Sequence, residues 1–159
     1  MIRDRREITI EASPEAVFSL IESMPNKFPV YGILESKPFL FIRVLLVNGM
    51  RSAMEAIGVE KSQATLFLKV GDQMGPFSLS KSERPVAYLF TLNSPFFNCQ
   101  TGYLLRSSGS GTLLSFDLIS EKPRFREKIY WNLIKQFHLL LANKVLRVIK
   151  NNAESRVKI

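Results

Sequence analysis

The chain has 159 residues, of which 46% are apolar and 23% charged. That is enough to bury a core and too apolar for a disordered chain. One cysteine, Cys99, excludes an internal disulfide and a cysteine-based zinc site, and fits a reducing compartment. The net charge of +8 is uneven: residues 1–121 carry 12 basic and 12 acidic side chains, while residues 122–159 carry the other 10 basic ones against only Glu127 and Glu154. Such asymmetry marks a nucleic-acid or anionic-membrane footprint, or else an amphipathic helix with a lysine-rich solvated side.

In chain order, Met1 to Arg6 is crowded with charge and lacks the apolar run of a secretory signal, so a cytoplasmic protein is expected. From Arg5 to Ala12, Ile8 and Ile10 alternate with Thr9 and Glu11, the period-two pattern of a half-buried strand. Ser13-Pro14-Glu15-Ala16 then reads as a helix start. Ser13 can accept from a free amide, Pro14 suits the first helical position, and Glu15 favours the positive end of the dipole. The helix runs to about Met24 with Val17, Phe18, Leu20 and Ile21 on its apolar face, and Pro25 ends it.

Residues 25–38 read as a turn-rich connection. From Phe39 to Ile57, Ile42, Leu45, Leu46, Met50, Ala53, Met54 and Ile57 follow three-to-four spacing, which predicts a helix stopped by Gly58, with a strand over 39–47 as the alternative. The apolar stretch Phe39 to Val47 is broken by Arg43 and is far shorter than the ~20 residues that span a bilayer. Beyond it an antiparallel meander is expected: a strand near Thr65 to Val70, one opened by Gly75-Pro76 with Phe77 and Leu79 on one face, then Val86 to Leu92, Phe96 to Arg106 and Thr112 to Ser120. Ser107 to Gly111 supplies a flexible hairpin tip. A long helix follows, from about Phe125 to Asn151. With no repeat, low-complexity tract or linker, this order predicts one α+β domain over residues 1–159, an antiparallel sheet wrapped around the terminal helix.

The opening Ile8-Thr9-Ile10-Glu11-Ala12-Ser13-Pro14-Glu15-Ala16-Val17-Phe18 resembles the start of the START-like, birch-allergen-like helix-grip superfamily, which includes polyketide cyclases and lipid carriers. The tail Arg126 to Leu146, with Tyr130-Trp131 and Phe137-His138, together with Val70-Gly71-Asp72 ahead of Gly75-Pro76-Phe77, is similar to a bacterial branch of that superfamily. The resemblance implies a curved sheet gripping the terminal helix, with a cavity between them for a lipid, a polyketide or another lipophilic molecule. It implies no shared catalytic motif, so it transfers no catalytic residue. The predicted helix over 39–57 departs from members with strands soon after the first helices.

Strand alternation places Tyr88, Phe90 and Leu92 on one face, with Phe97, Cys99, Thr101, Tyr103 and Leu105 on the next strand and Leu114, Phe116 and Leu118 on the last. On the terminal helix, Tyr130, Leu133, Ile134, Phe137, Leu141, Val145 and Val148 form one broad stripe, with His138 at its edge. The candidate ligand-binding residues are therefore Tyr88, Phe90, Cys99, Thr101, Tyr103, Phe116, Tyr130, Ile134, Phe137 and His138. Thr101, Cys99 and the phenols are polar groups that a dry core would replace.

His138, the sole histidine, is either an acid/base group or a half-buried helix residue bonded to a neighbour. No carboxylate or nucleophile is placed beside it by the spacing, so neither a catalytic triad nor a metal site is expected. Asp117 falls on the opposite face with Ser115, solvated or salt-bridged. Arg43 and Arg51 either meet a ligand headgroup or pair with Glu35 or Glu55, and Cys99 reads as a small buried hydrophobe. Gly71 to Gly75 lacks the lysine and hydroxyl of a phosphate loop and reads as a turn. Lys144, Arg147, Lys150, Arg156 and Lys158 have no interleaved aromatic platform, so specific nucleic-acid binding is not expected, and loose attraction to anionic membranes stands only as an alternative. The expected function is binding of a lipophilic small molecule without a cofactor. The alternatives are a cyclase- or dehydratase-like enzyme using His138, Tyr130 or Tyr103, and a membrane-surface protein using its basic helix.

Overall fold

The computed structural model describes residues 1–23, 68–74, 77–93 and 97–157. The helix expected over 39–57, Arg43 and Arg51 with Glu35 and Glu55, and Lys158 lie outside these residues. Strand β1 (Ile2–Ile10) leads into helix α1 (Pro14–Ser23). Strands β2 (Gln73–Met74), β3 (Phe77–Glu83), β4 (Ala87–Asn93), β5 (Asn98–Ser108) and β6 (Gly111–Ser120) follow, and helix α2 (Phe125–Val157) ends the described chain. The strands form a six-stranded antiparallel sheet in the order β1-β6-β5-β4-β3-β2. Sequence neighbours pair as hairpins except that β1, first in the chain, closes on β6.

The start of α1 follows from its sequence. Ser13 Oγ accepts from the Ala16 N–H at 3.3 Å and the Ser13 carbonyl from the Val17 N–H at 3.0 Å, while Pro14 occupies the first helical position, where no amide is needed. Val17, Phe18, Leu20 and Ile21 are all buried. The Tyr88 ring meets Phe18 edge-on at 5.8 Å and Phe90 edge-on at 5.3 Å, which ties α1 to β4.

Two glycines occupy backbone positions that disfavour a side chain. Gly102, opposite Asp117 and Leu89 in the ladder, is packed so closely that a Cβ would strike the Tyr88 carbonyl oxygen and lie 2.8 Å from Leu89 Cα. Glycine alone permits this approach of neighbouring backbones. The β5–β6 hairpin is tighter than the flexible tip expected over 107–111: Ser108 pairs with Gly111 around Gly109 and Ser110, and Gly109 takes φ +60, the left-handed region of a two-residue turn.

Residues 68–70 are not in a strand, so the described part of the strand expected near 65–70 is replaced by a turn. In that turn the Lys69 N–H donates to Asp72 Oδ2 at 2.8 Å and the Asp72 N–H to the Lys69 carbonyl at 2.9 Å, the side-chain-supported geometry that aspartate favours.

α2 packs chiefly on β1 and α1. Its buried stripe passes through Leu141, Ala142, Val145, Leu146, Ile149 and Ala153. Its far end is stapled to the end of β1: Lys150 Nζ donates to the Thr9 carbonyl at 2.9 Å, and the Glu11 N–H to Glu154 Oε1 at 3.0 Å. Among the described residues, no helix is long and apolar enough to cross a membrane.

Candidate functional site

The alternation of β4, β5 and β6 sends one set of side chains toward the helices. Register places Tyr88 beside Tyr103 and Tyr103 beside Phe116, then Phe90 beside Thr101 and Thr101 beside Leu118. Tyr88, Phe90, Cys99, Thr101, Tyr103 and Phe116 are all buried on this concave face. The strands therefore bring the six sheet residues expected at the site into one surface.

On α2 the expected stripe is rotated. Leu133 is 76% exposed and belongs to the solvent side. Tyr130, Ile134, Phe137 and His138 are half-buried, and Trp131 joins them by stacking on Phe97 with ring centroids 5.9 Å apart. Tyr130 also meets Phe97, at 5.8 Å. α2 packs chiefly on β1 and α1, and its inward positions run through Trp131 and His138 to Leu141, Ala142 and Val145.

His138 does have a carboxylate partner. Its Nδ1 stands 3.2 Å from Asp4 Oδ2, at ion-pair distance though off the angle of a hydrogen bond, and Asp4 Oδ1 pairs with Arg6 Nη2 at 3.0 Å. The imidazole is also packed against Phe116, centroids 5.8 Å apart, and edge-on to Trp131 at 5.3 Å. Asp4 and Arg6 sit opposite Leu118 and Phe116 in the β1–β6 register and so share the inward face with Ile8 and Ile10. The neighbouring imidazole and the Arg6 guanidinium hold the Asp4 carboxyl below the ordinary aspartate range, against the opposing effect of burial. The sequence reading missed Asp4 because it began β1 at Arg5, and carrying the period of two back to Ile2 would have placed it; Arg6 lies within the strand as read, in phase with Ile8 and Ile10, but nothing local pointed to its partner.

Two hydroxyls on the concave face lack hydrogen-bond partners among the described residues: Tyr88 OH and Thr101 Oγ1, on side chains whose residues are 0% and 4% exposed. Burial, with the Glu22 and Asp72 carboxylates adding to it, pushes the Tyr88 phenol up to about 12. Burial raises the Tyr103 phenol as well. Both phenols are neutral at physiological pH, which leaves them able to donate a hydrogen bond.

At the end of the sheet where α2 begins, a solvent-open pocket of 320 Å³ is lined by Leu92, Asn98, Cys99, Ser120, Arg124 and Glu127, among others. Glu127 is buried and committed to structure. Its Oε2 accepts from the Arg124 N–H at 2.6 Å, the return half of a capping box, and its Oε1 accepts from Asn98 Nδ2 at 3.2 Å. Of the expected site residues, Cys99 alone lines this pocket.

Asp117 lies on the opposite, convex face, as its alternation with Phe116 implies. Arg5 grips it through Nε at 2.9 Å and Nη2 at 2.7 Å, with Arg3 3.9 Å away. Among the described residues, no group of three or more histidine, cysteine, aspartate or glutamate side chains could hold a metal ion.

No family model matches the sequence, and no curated protein matches it either. Solved structures do. DynU16, a protein of the dynemicin biosynthetic locus, superposes with a TM-score of 0.51 at 14% identity over 94% of this chain and 48% of its own, so the chain spans about half the length of DynU16. Protein Ms6760 from Mycobacterium smegmatis superposes with a TM-score of 0.51 at 10% identity over 98% of this chain and 90% of its own. At such identities the likeness concerns architecture. The chain has the helix-grip fold, a curved antiparallel sheet introduced by β1 and α1 and completed by one long terminal helix, as the START-like resemblance implies.

Proposed function

We propose that the protein binds a lipophilic small molecule between the concave face of the sheet and α2. The observation that carries this reading is the pair of buried hydroxyls without partners among the described residues, Tyr88 OH and Thr101 Oγ1, on a face they share with Phe90, Leu92, Cys99, Tyr103, Phe116 and Leu118. Leaving a buried hydroxyl unsatisfied costs about 1–3 kcal/mol, a cost a ligand offering a carbonyl or hydroxyl would remove. The guest this surface suits has an apolar body, held by burial at ~25 cal/mol per Å², and one or two polar groups that fix its orientation. Residues 1–159 act in this reading as one domain, located in the cytoplasm.

Native mass spectrometry of the freshly purified full chain tests it. A co-purifying organic mass that is lost on denaturation is expected. Finding only the bare chain, with no saturable fluorescence from the apolar probe 1-anilinonaphthalene-8-sulfonate, would overturn the reading.

The Asp4–His138 pair favours a second reading, in which the ligand is also a substrate. An imidazole with a carboxylate 3.2 Å from Nδ1 can exchange a proton through Nε2, as a cyclase- or dehydratase-like reaction on a cyclic apolar substrate requires. Incubating the chain with the recovered molecule and weighing what is released discriminates: an enzyme releases a product of different mass or retention, whereas a carrier returns the molecule unchanged.

A further inference from the structure

The outward side of α2 carries a feature that ligand binding does not use. Phe125 is 76% exposed, Ile129 47%, Leu133 76% and Leu140 63%. At 100° per residue these four fall within about 80° of one another, directly opposite the stripe through Leu141, Val145 and Ile149 that packs inward, and they extend along about 23 Å of helix. A helix needs one apolar face to join a core; this one has a second, facing solvent, in its first half.

The charge around that stripe is of one sign. From Phe125 to Arg147 the exposed charged side chains are Arg126, Lys128, Lys135, Lys144 and Arg147. Glu127, the one carboxylate in that span, is buried and held by the Arg124 N–H and Asn98. On the helical wheel Arg126 and Lys144 flank one side of the stripe and Lys128 and Lys135 the other, while the uncharged Gln136 lies within it, Asn132 at its edge and Arg147 in line with it two turns beyond Leu140. An apolar row rimmed on both sides by long cationic side chains fits the boundary of an anionic bilayer. The apolar residues enter the level of the upper acyl chains while the lysine and arginine stems reach back to the headgroups.

We propose that the Phe125–Leu140 side of α2 is a docking surface for anionic lipid membranes. Charge complementarity argues for this occupant over a second copy of the chain, because a symmetric partner would set one cationic rim against another. The surface lies on the opposite side of α2 from the proposed ligand site, so neither reading depends on the other.

Co-sedimentation of the full chain with vesicles of phosphatidylglycerol and phosphatidylcholine, against vesicles of phosphatidylcholine alone, tests the proposal. Binding to the anionic vesicles and its weakening between low and high salt are expected. The double variant Phe125→Gln/Leu133→Gln is expected to weaken that binding about tenfold or more, and Lys128→Gln/Lys135→Gln about fivefold per charge removed. Both variants alter exposed side chains, so a melting temperature and probe fluorescence matching the parent certify the fold. Equal binding to neutral and anionic vesicles, or stripe variants that sediment like the parent, would overturn the proposal. So would a dimer in sedimentation velocity that Leu133→Gln dissolves while the parent ignores vesicles, since a second copy would then be the occupant.

Discussion

Thr101→Val probes the feature on which the ligand site rests. Thr101 is 4% exposed, lies between Phe90 and Leu118 in the sheet register, and its Oγ1 has no hydrogen-bond partner among the described residues. Valine keeps the shape and the β-branch and replaces the hydroxyl by a methyl. Removing an unsatisfied buried hydroxyl recovers part of the ~1–3 kcal/mol it costs, and the added apolar surface contributes up to ~0.8 kcal/mol. The ligand-free variant should therefore be more stable than the parent by about 1–2 kcal/mol, a rise of roughly 3–6 °C in melting temperature for a chain of this size. Urea denaturation of delipidated protein measures this as a higher midpoint at unchanged slope. The same substitution should weaken retention of the co-purifying molecule by about tenfold, the equivalent of one lost hydrogen bond. A variant at least 1 kcal/mol less stable than the parent would mean that the hydroxyl is already satisfied within the fold, and the argument for a guest would fall.

Three further outcomes follow from the geometry. The Asp4 carboxyl titrates below its unfolded value, so the stability it contributes is fully present above about pH 5 and is lost as pH falls through the lowered folded value. Asp4→Asn should accordingly be less stable than the parent at pH 7 and converge on it in acid, and parallel pH–stability curves for the two would contradict the His138 and Arg6 contacts. Gly102→Ala places a methyl against the Tyr88 carbonyl and Leu89 Cα, and should cost ~1–3 kcal/mol by overpacking; a neutral result in thermal unfolding would show that the strands separate easily there. Ser13→Ala should cost about 1 kcal/mol through loss of the α1 cap, with Ser13→Asp restoring most of it, and urea midpoints of the two variants decide.

What local chemistry controls could be read from the residues alone. The α1 start is encoded within four residues, because its cap, its first-position proline and its apolar face are all near neighbours. Strand alternation assigned Tyr88, Phe90, Cys99, Thr101, Tyr103 and Phe116 to one face, since a period of two is a property of the extended backbone whatever packs on it. It also sent Asp117 to the other face, though not to Arg5 in particular.

Only the tertiary structure decided the rest. Whether Leu133 or Trp131 meets the sheet depends on where α2 lies across it, and the α2 residues 130–145 hold enough apolar side chains for more than one stripe to look buried. The pairing of Asp4 with His138 joins residues at opposite ends of the chain through the β1–β6 closure and the placement of α2 on β1. Neither residue carries a local signal of the other, because a contact across 134 positions is set by topology and not by spacing. The inward direction of Asp4 and Arg6 was written in the alternation of β1; their partner was not.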